Sequence, residues 1–143
     1  MNRFLLFALL ILLVSSPLLA ESKPKTICQS LSDCETKADA TTIHRKKITL
    51  LSFGLTEYSK DASVQKLIPF YLKRVRSIIL EANGDTGYKG EVILKVSHKP
   101  EYKQSQLIKA EDDLRFLESN HSHLSKEQSL ELGELQSLLG QSK

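Results

Sequence analysis

The chain has 143 residues, of which 20 are Lys or Arg and 17 are Asp or Glu, so its formal net charge is +3. A charge so close to balance gives no reason to expect a nucleic acid or an acidic polymer as partner. The chain has no Trp and only 6% of it is aromatic, which argues against a carbohydrate-stacking surface.

Residues 1–20 have the composition of a secretory signal peptide. Arg3 precedes an unbroken apolar run from Phe4 to Val14, and Ala20 supplies a small residue at the exit. The run stops at a Ser-Ser-Pro break, short of the roughly twenty apolar residues that a membrane span needs; an uncleaved anchor is the alternative. We therefore expect an exported single-domain chain that begins near Glu21, periplasmic if the source is bacterial and secreted otherwise.

Residues 21–45 are predicted to form an N-terminal leader with a disulfide loop. Cys28 and Cys34 are the two cysteines of the chain, and such a pair in an exported protein indicates one disulfide bond. At this spacing, two residues of a regular helix point to different faces. We therefore expect a turn between them or a short helix that begins inside the loop, capped by Ser30 or Ser32. A redox-active pair is the alternative, although thiol oxidoreductases usually have a closer C-x-x-C spacing.

Residues 46–100 are predicted to form a β-α-β unit. The segment Lys46–Leu55 is rich in β-branched and large apolar residues, which is typical of a strand. Residues 61–84 place apolar side chains along one face of a central helix that ends at an Asn-Gly pair, although Pro69 would kink this helix unless it lies in the first turn. Residues 91–98 alternate apolar and polar side chains, so they predict a second strand, parallel to the first.

Residues 103–140 are predicted to form a helical hairpin. Leucines recur along both halves at the spacing of a narrow helical stripe, and Ser125 to Gln128 form a capping box at the start of the second helix. The stripes could pack on the sheet, on each other or on a second copy, so a homodimer through the hairpin is one expected assembly. The predicted fold class is thus a small α+β domain over residues 46–143.

The residues that most resemble a set of metal ligands in the sequence are His121 and His123, with Glu118 close by. Two histidines in a loop can share a metal ion, but zinc sites use three or four protein ligands, and no further His or Cys lies near in sequence. We therefore predict no metal site and no cofactor, and interpret this segment as a solvated loop. Asn120 begins a glycosylation sequon, which matters only in a eukaryotic source.

Four basic residues gather on the polar side of the predicted central helix: Lys66, Lys73, Arg74 and Arg76. A basic amphipathic helix can lie on an anionic membrane surface. A helix packed on a sheet shows the same pattern, however, with apolar residues inward and charged residues outward. Packing is the expectation, and membrane-surface association through these four residues is the alternative.

The segments Tyr71–Ile79 and Tyr88–Val96 resemble the helix-then-strand passage of the TonB and TolA C-terminal periplasmic domains. The resemblance implies a periplasmic adaptor domain. Those domains continue into a further strand, whereas this chain continues with Lys99-Pro100 and helical sequence.

The sequence has no G-x-S-x-G, H-E-x-x-H or Walker loop. Ser63 to Lys66 match S-x-x-K, but the companion S-D-N and K-T-G motifs of penicillin-recognising enzymes are absent, so we interpret this match as chance. The leading interpretation is therefore an exported non-enzymatic protein that binds an unidentified protein or envelope component. One alternative is a small secreted hydrolase or toxin that uses His121, His123 or Cys34. The other is the adaptor domain of the TonB and TolA type.

Overall fold

The computed structural model describes residues 27–88 and 98–143, of which 77% are helical and none is in a strand. Five α-helices and one 3-10 turn follow one another in the order α1 Leu31–Asp39, α2 His44–Tyr58, α3 Val64–Ala82, α4 Pro100–Ser119, the turn His121–His123 and α5 Lys126–Ser142. The predicted α+β fold with a β-α-β core is therefore wrong. None of these helices is long and apolar enough to cross a membrane.

The segment Lys46–Leu55, predicted to be the first strand, lies inside α2. Its buried residues recur at helical spacing, at Leu50, Leu51, Gly54 and Leu55, because α2 packs between α1 and α3 and buries two sides. A short apolar run buried on two sides has no period that separates strand from helix. The β-branched Thr49 fits the helix by donating its hydroxyl hydrogen bond to the carbonyl of Arg45 at 3.0 Å.

Three sequence predictions fall partly or wholly outside the described residues. These are the signal peptide at residues 1–20, the first part of the leader at residues 21–26 and most of the second strand, at residues 91–97. His98, the last residue of that predicted strand, is described and is not in a strand. The helical half of the TonB and TolA resemblance, Tyr71–Ile79, lies in α3, whereas all of its strand half except Tyr88 lies outside the described residues.

Helix α3 lies at the centre and separates two apolar clusters. On one side it packs against α4 and α5, through the buried side chains of Ile68, Leu72, Val75, Ile78, Ile79, Ala82, Leu107, Ala110, Leu114, Leu117, Leu132, Leu135 and Leu139. On the other side it packs against α2, α1 and the disulfide, through Cys28, Cys34, Ala38, Leu50, Leu51, Leu55, Leu67 and Phe70. A helix with neighbours on two sides needs no sheet to cover it.

The ends of α3 follow from local chemistry. The helix begins at Val64, before Pro69, so the proline lies inside the helix rather than in its first turn. Proline has no N–H, so it cannot make the usual hydrogen bond to the carbonyl of Gln65, four residues earlier. At the other end, Gly84 has a φ of 87°, its N–H bonds the Glu81 carbonyl and the next N–H bonds the Leu80 carbonyl. This is a Schellman motif, and its left-handed position favours glycine.

The predicted helical hairpin is confirmed as α4 and α5. The predicted capping box is present too, because the Ser125 hydroxyl accepts from the Gln128 N–H and the Gln128 side chain accepts from the Ser125 N–H. The leucine stripes of both helices lie in the core against α3. The hairpin therefore completes the core of its own chain and does not present its stripe to solvent.

Candidate functional site

Lys73 and Arg74, predicted as a binding surface, are ion-paired within the fold. The Lys73 ammonium lies 2.8 Å from Glu35 and 2.7 Å from Asp39, both contributed by α1. Partial burial opposes its charge, but hydrogen bonds to the two carboxylates raise the pKa of Lys73 overall. This lysine holds α1 against α3.

Arg74 makes a two-pronged ion pair with Asp113 of α4. Its Nε and Nη2 donate to the two carboxylate oxygens at 2.8 and 2.6 Å, and its Nη1 donates to Ser52 of α2 at 3.2 Å. Its guanidinium also lies 5.3 Å from the centroid of the Tyr71 ring, which stacks on Phe116. Burial raises the pKa of Asp113, against the opposing effect of Arg74. The pair joins α2, α3 and α4 at their common contact.

The other two predicted cations differ from each other. Arg76 lies 3.1 Å from Glu131 and 3.5 Å from Glu134 of α5, so it helps to hold the hairpin. Lys66 is exposed, and the described residues give it no ion pair. Three of the four predicted cations thus join helices, and the four do not form one free basic surface.

The predicted metal candidates do not converge. His123 and His121 are exposed in the 3-10 turn, and His123 Nδ1 lies 3.2 Å from the side-chain nitrogen of Gln65. Glu118 instead accepts a hydrogen bond from Gln136 at 2.7 Å. Over residues 27–88 and 98–143, no three His, Cys, Asp or Glu side chains are grouped as metal ligands would be.

The predicted Cys28–Cys34 disulfide is present and fully buried. Its second cysteine lies in α1, whose first turn is capped by the Ser30 hydroxyl accepting from the Asp33 N–H at 3.1 Å. Tyr58 of α2 donates to the Cys28 carbonyl at 2.8 Å. The disulfide is part of the second apolar cluster and fixes the entry of the chain into α1.

A buried carboxylate lies at the end of α3 and joins three helices. The Glu81 side chain is 3% exposed, and its Oε1 lies 3.1 Å from Arg45 of α2 and 3.6 Å from His98, just before α4. Tyr102 of α4 packs its ring 4.6 Å from the His98 ring and accepts a hydrogen bond from Arg45 at 3.4 Å. This arrangement neutralises Glu81 mainly through Arg45, whose own side chain is 65% exposed.

His44 adjoins this carboxylate at the start of α2. Its side chain is 13% exposed, its Nε2 lies 3.7 Å from Asp85, and its Nδ1 is buried without a hydrogen-bond partner in the described part of the chain. Burial lowers the pKa of His44 below its ordinary value of 6.5, against the attraction of Asp85. The backbone N–H of His44 donates to the Thr86 carbonyl at 3.0 Å, which fixes the loop after α3 on this end of α2.

The outer side of α2 carries an apolar depression rimmed by cations, which we call the α2 face. Its volume is about 300 Å³, and it is lined by Ile27, Ile43, Arg45, Lys46, Thr49 and Leu50. Ile27 and Ile43 are unusually exposed for isoleucine, at 41% and 37%. None of the lining residues is acidic. The first turn of α2 has no acidic residue either and no side-chain cap, so the positive end of the helix adds to the positive potential of this face.

A larger groove, of about 530 Å³, lies along α4 and the C-terminus, between residues such as Leu107, Ile108, Glu111 and Lys143. The Lys143 ammonium is ion-paired with Glu111 at 2.6 Å. Charges of both signs at its rim give the groove no preference for the charge of a ligand. The α2 face has such a preference, and it is the better candidate site.

Sequence reasoning missed Arg45, Glu81 and the α2 face. One signal was visible: His44 to Lys47 are four consecutive residues that can carry positive charge, directly after the apolar Ile43. The strand interpretation of the segment from Lys46 onward distributed these side chains over two sides of a sheet and concealed the cluster. A helix places Ile43, Lys46 and Leu50 on one side.

Comparison of the chain with protein-family models, with curated proteins and with solved structures found no match. The function of the chain is therefore inferred from the residues of the α2 face.

Proposed function

We propose that this chain is an exported, non-enzymatic protein that binds a protein or an envelope component through the α2 face. The observation that supports this most directly is the composition of that face. It combines exposed isoleucines with Lys46, an exposed cation, and it has no carboxylate in its lining. An exposed apolar patch with a charged rim is typical of an interaction site.

Export is supported by the sequence of residues 1–20 and by the disulfide. Disulfides persist in oxidising compartments such as the periplasm or the cell exterior. The Cys28–Cys34 bond lies within an apolar cluster of the fold, so a reducing compartment would remove a cross-link from the core. The proposed location is periplasmic in a bacterium and extracellular otherwise.

The enzyme alternative required a nucleophile or a base among His121, His123 and Cys34. Cys34 is fully buried and oxidised, so it offers no thiolate. The two histidines lie in an exposed turn, and the nearby Glu118 is engaged by Gln136. These positions favour a binding role over a hydrolase or toxin.

The hairpin is less suited to a partner than the α2 face. Its leucine stripes are buried in its own core, and its large exposed apolar residues among those described are Ile108 and Leu130, at 49% and 64% exposure. Neither lines a depression that has cations and no acidic residue in its lining, as Ile43 does. This arrangement favours the α2 face over a homodimer built on the leucine stripes.

The test combines export with contact at the α2 face. The full chain, tagged at its C-terminus, is produced in a Gram-negative host with a photo-crosslinking amino acid at Thr49 in the face or at Gln136 on the exposed side of α5. We expect cleavage before Glu21, recovery from the periplasm, and adducts from position 49 that position 136 does not give. Retention in the cytoplasm, or the same adducts from both positions, would contradict the proposal.

A further inference from the structure

We infer that the envelope component bound by the α2 face is an anionic membrane surface, with lipid phosphates at the cations and the exposed isoleucines among the headgroups. This inference rests on the proposed function and specifies its ligand. Lys46 is exposed and Arg45 is 65% exposed, beside Ile27 and Ile43. Apolar side chains next to cations are the combination that interfacial membrane binding uses.

The size of the face favours a bilayer over a folded protein. Six residues line the depression, with a volume of about 300 Å³. A stable protein–protein interface takes roughly 20–30 residues from each partner. A bilayer needs only a few cations and inserted side chains, because each cation near an anionic leaflet contributes separately to the affinity.

The loop after α3 extends the face with an aromatic residue. Gly87, with a φ of 68°, packs so closely on the chain before α2 that a Cβ there would overlap the carbonyl oxygen of Thr42. Tyr88 follows directly, and its side chain is 59% exposed. Tyrosine has an apolar ring and a polar hydroxyl, and it is enriched where membranes meet water. Tyr88 therefore directly follows a residue that packs on Thr42 and His44, the two neighbours of Ile43, and it has the chemistry of a membrane interface.

The position of the face along the chain agrees with this inference. Ile27 follows the apolar segment at residues 1–20 by seven residues, and seven extended residues span at most about 25 Å. A bilayer that holds the proposed signal peptide before its cleavage is therefore within this distance of Ile27. Lys46 has no ion pair among the described residues, whereas Lys73, Arg74 and Arg76 on α3 are paired with carboxylates of α1, α4 and α5. Arg45 is paired too, with Glu81, so Lys46 is the cation of the face that is available to a lipid phosphate.

The experiment is co-sedimentation of the mature chain, Glu21–Lys143, with vesicles of phosphatidylglycerol and phosphatidylcholine or of phosphatidylcholine alone. The mature chain retains every described helix and the disulfide. We expect binding to the anionic vesicles that weakens as salt is raised, because screening shortens the reach of the cations. Phosphatidylcholine vesicles should bind far more weakly.

Two pairs of variants assign the binding to the face. Lys46→Gln should weaken binding to anionic vesicles about fivefold, the contribution of one cation near an anionic leaflet. The control Lys66→Gln makes the same change at an exposed cation on α3 and should leave the binding unchanged. Ile43→Ser should weaken binding about threefold, because a bilayer can newly bury only the 37% of the isoleucine that is exposed, whereas Leu130→Ser on α5 should leave binding unchanged. Ile43 is the N-cap of α2 without a side-chain bond, and serine is a preferred N-cap, so this variant keeps the helix.

Three results would overturn the inference. The first is no binding to anionic vesicles at low salt, and the second is equal weakening by both members of each pair. The third is a crosslinked protein at position 49 that is lost in the Lys46→Gln variant, in a chain that does not bind vesicles. The partner is then an acidic protein, so the inference fails and the proposed function stands. If position 49 gives no specific adduct and the vesicles do not bind, both the inference and the proposed function fail.

Discussion

Replacing Asp113 by alanine should destabilise the fold by about 3 kcal/mol, because it leaves a largely buried guanidinium without its counter-ion. The Asp113 and Arg74 side chains are 6% and 18% exposed. Arg74 would keep one hydrogen bond, to Ser52 at 3.2 Å, and the Tyr71 ring at 5.3 Å. These contacts place the expected cost at the low end of the roughly 3–5 kcal/mol typical of breaking a buried pair.

The assay is urea unfolding at neutral pH, followed by far-UV circular dichroism. With a typical slope of about 1–3 kcal/mol per molar urea, the midpoint should fall by about 1–3 M. The double variant Arg74→Met, Asp113→Leu removes both charges and should lie within about 1 kcal/mol of the parent, since apolar replacements of buried pairs are often neutral or stabilising.

The matched control is Glu131→Ala, which breaks the Arg76–Glu131 pair, whose side chains are 42% and 34% exposed. An exposed pair contributes less than about 1 kcal/mol. If Asp113→Ala and Glu131→Ala cost the same, or if the double variant is as unstable as Asp113→Ala, then burial of the Arg74–Asp113 pair does not determine its energetic role.

Two further predictions concern α2. Gly54→Ala should be less stable than Gly133→Ala by about 1–3 kcal/mol in urea unfolding, because a Cβ at Gly54 would lie 3.0 Å from Cys34 and 3.1 Å from Phe70, whereas at Gly133 it meets nothing within 4 Å. If Gly54→Ala and Gly133→Ala stabilise the fold equally, as helix propensity alone would predict, this account of the packing at Gly54 is contradicted. Stability should fall as the pH drops through and below about 6.5, the ordinary pKa of histidine, because the lowered pKa of His44 means that the unfolded chain takes up the proton first. His44→Gln should reduce this slope and the exposed His121→Gln should not; an unchanged slope in His44→Gln would rule out His44 as its source.

The parts of the fold that were predicted correctly from the sequence are those with local physical signals. Residues 61–84 have a 3.6-residue apolar period, which the helix Val64–Ala82 confirms. The Ser125–Gln128 capping box and the Cys28–Cys34 pair are equally local, because their chemistry depends on residues within one or two turns. These features needed no knowledge of what packs against them.

The parts that were wrong or missed depend on distant partners. Lys46–Leu55 has apolar residues on two sides because α1 and α3 cover it from two directions, which the segment itself cannot reveal. The roles of Lys73 and Arg74 likewise depend on carboxylates of α1 and α4, more than thirty residues away. Glu81 is a charged residue on a largely apolar helix, and only the approach of Arg45 explains how it is buried.

Arg45 belongs both to the α2 face and to the contacts that stabilise the buried Glu81. Its guanidinium faces solvent, yet it lies 3.1 Å from a carboxylate that is 3% exposed, with His98 at 3.6 Å from the same oxygen. A lipid phosphate that drew Arg45 away would leave Glu81 buried with His98 as its remaining close neighbour able to carry positive charge, and a buried charge without a partner is costly. The phosphate and the carboxylate therefore compete for one guanidinium. Lys46 has no such competitor among its described contacts, so Lys46→Gln separates membrane binding from stability, whereas any change at Arg45 alters both.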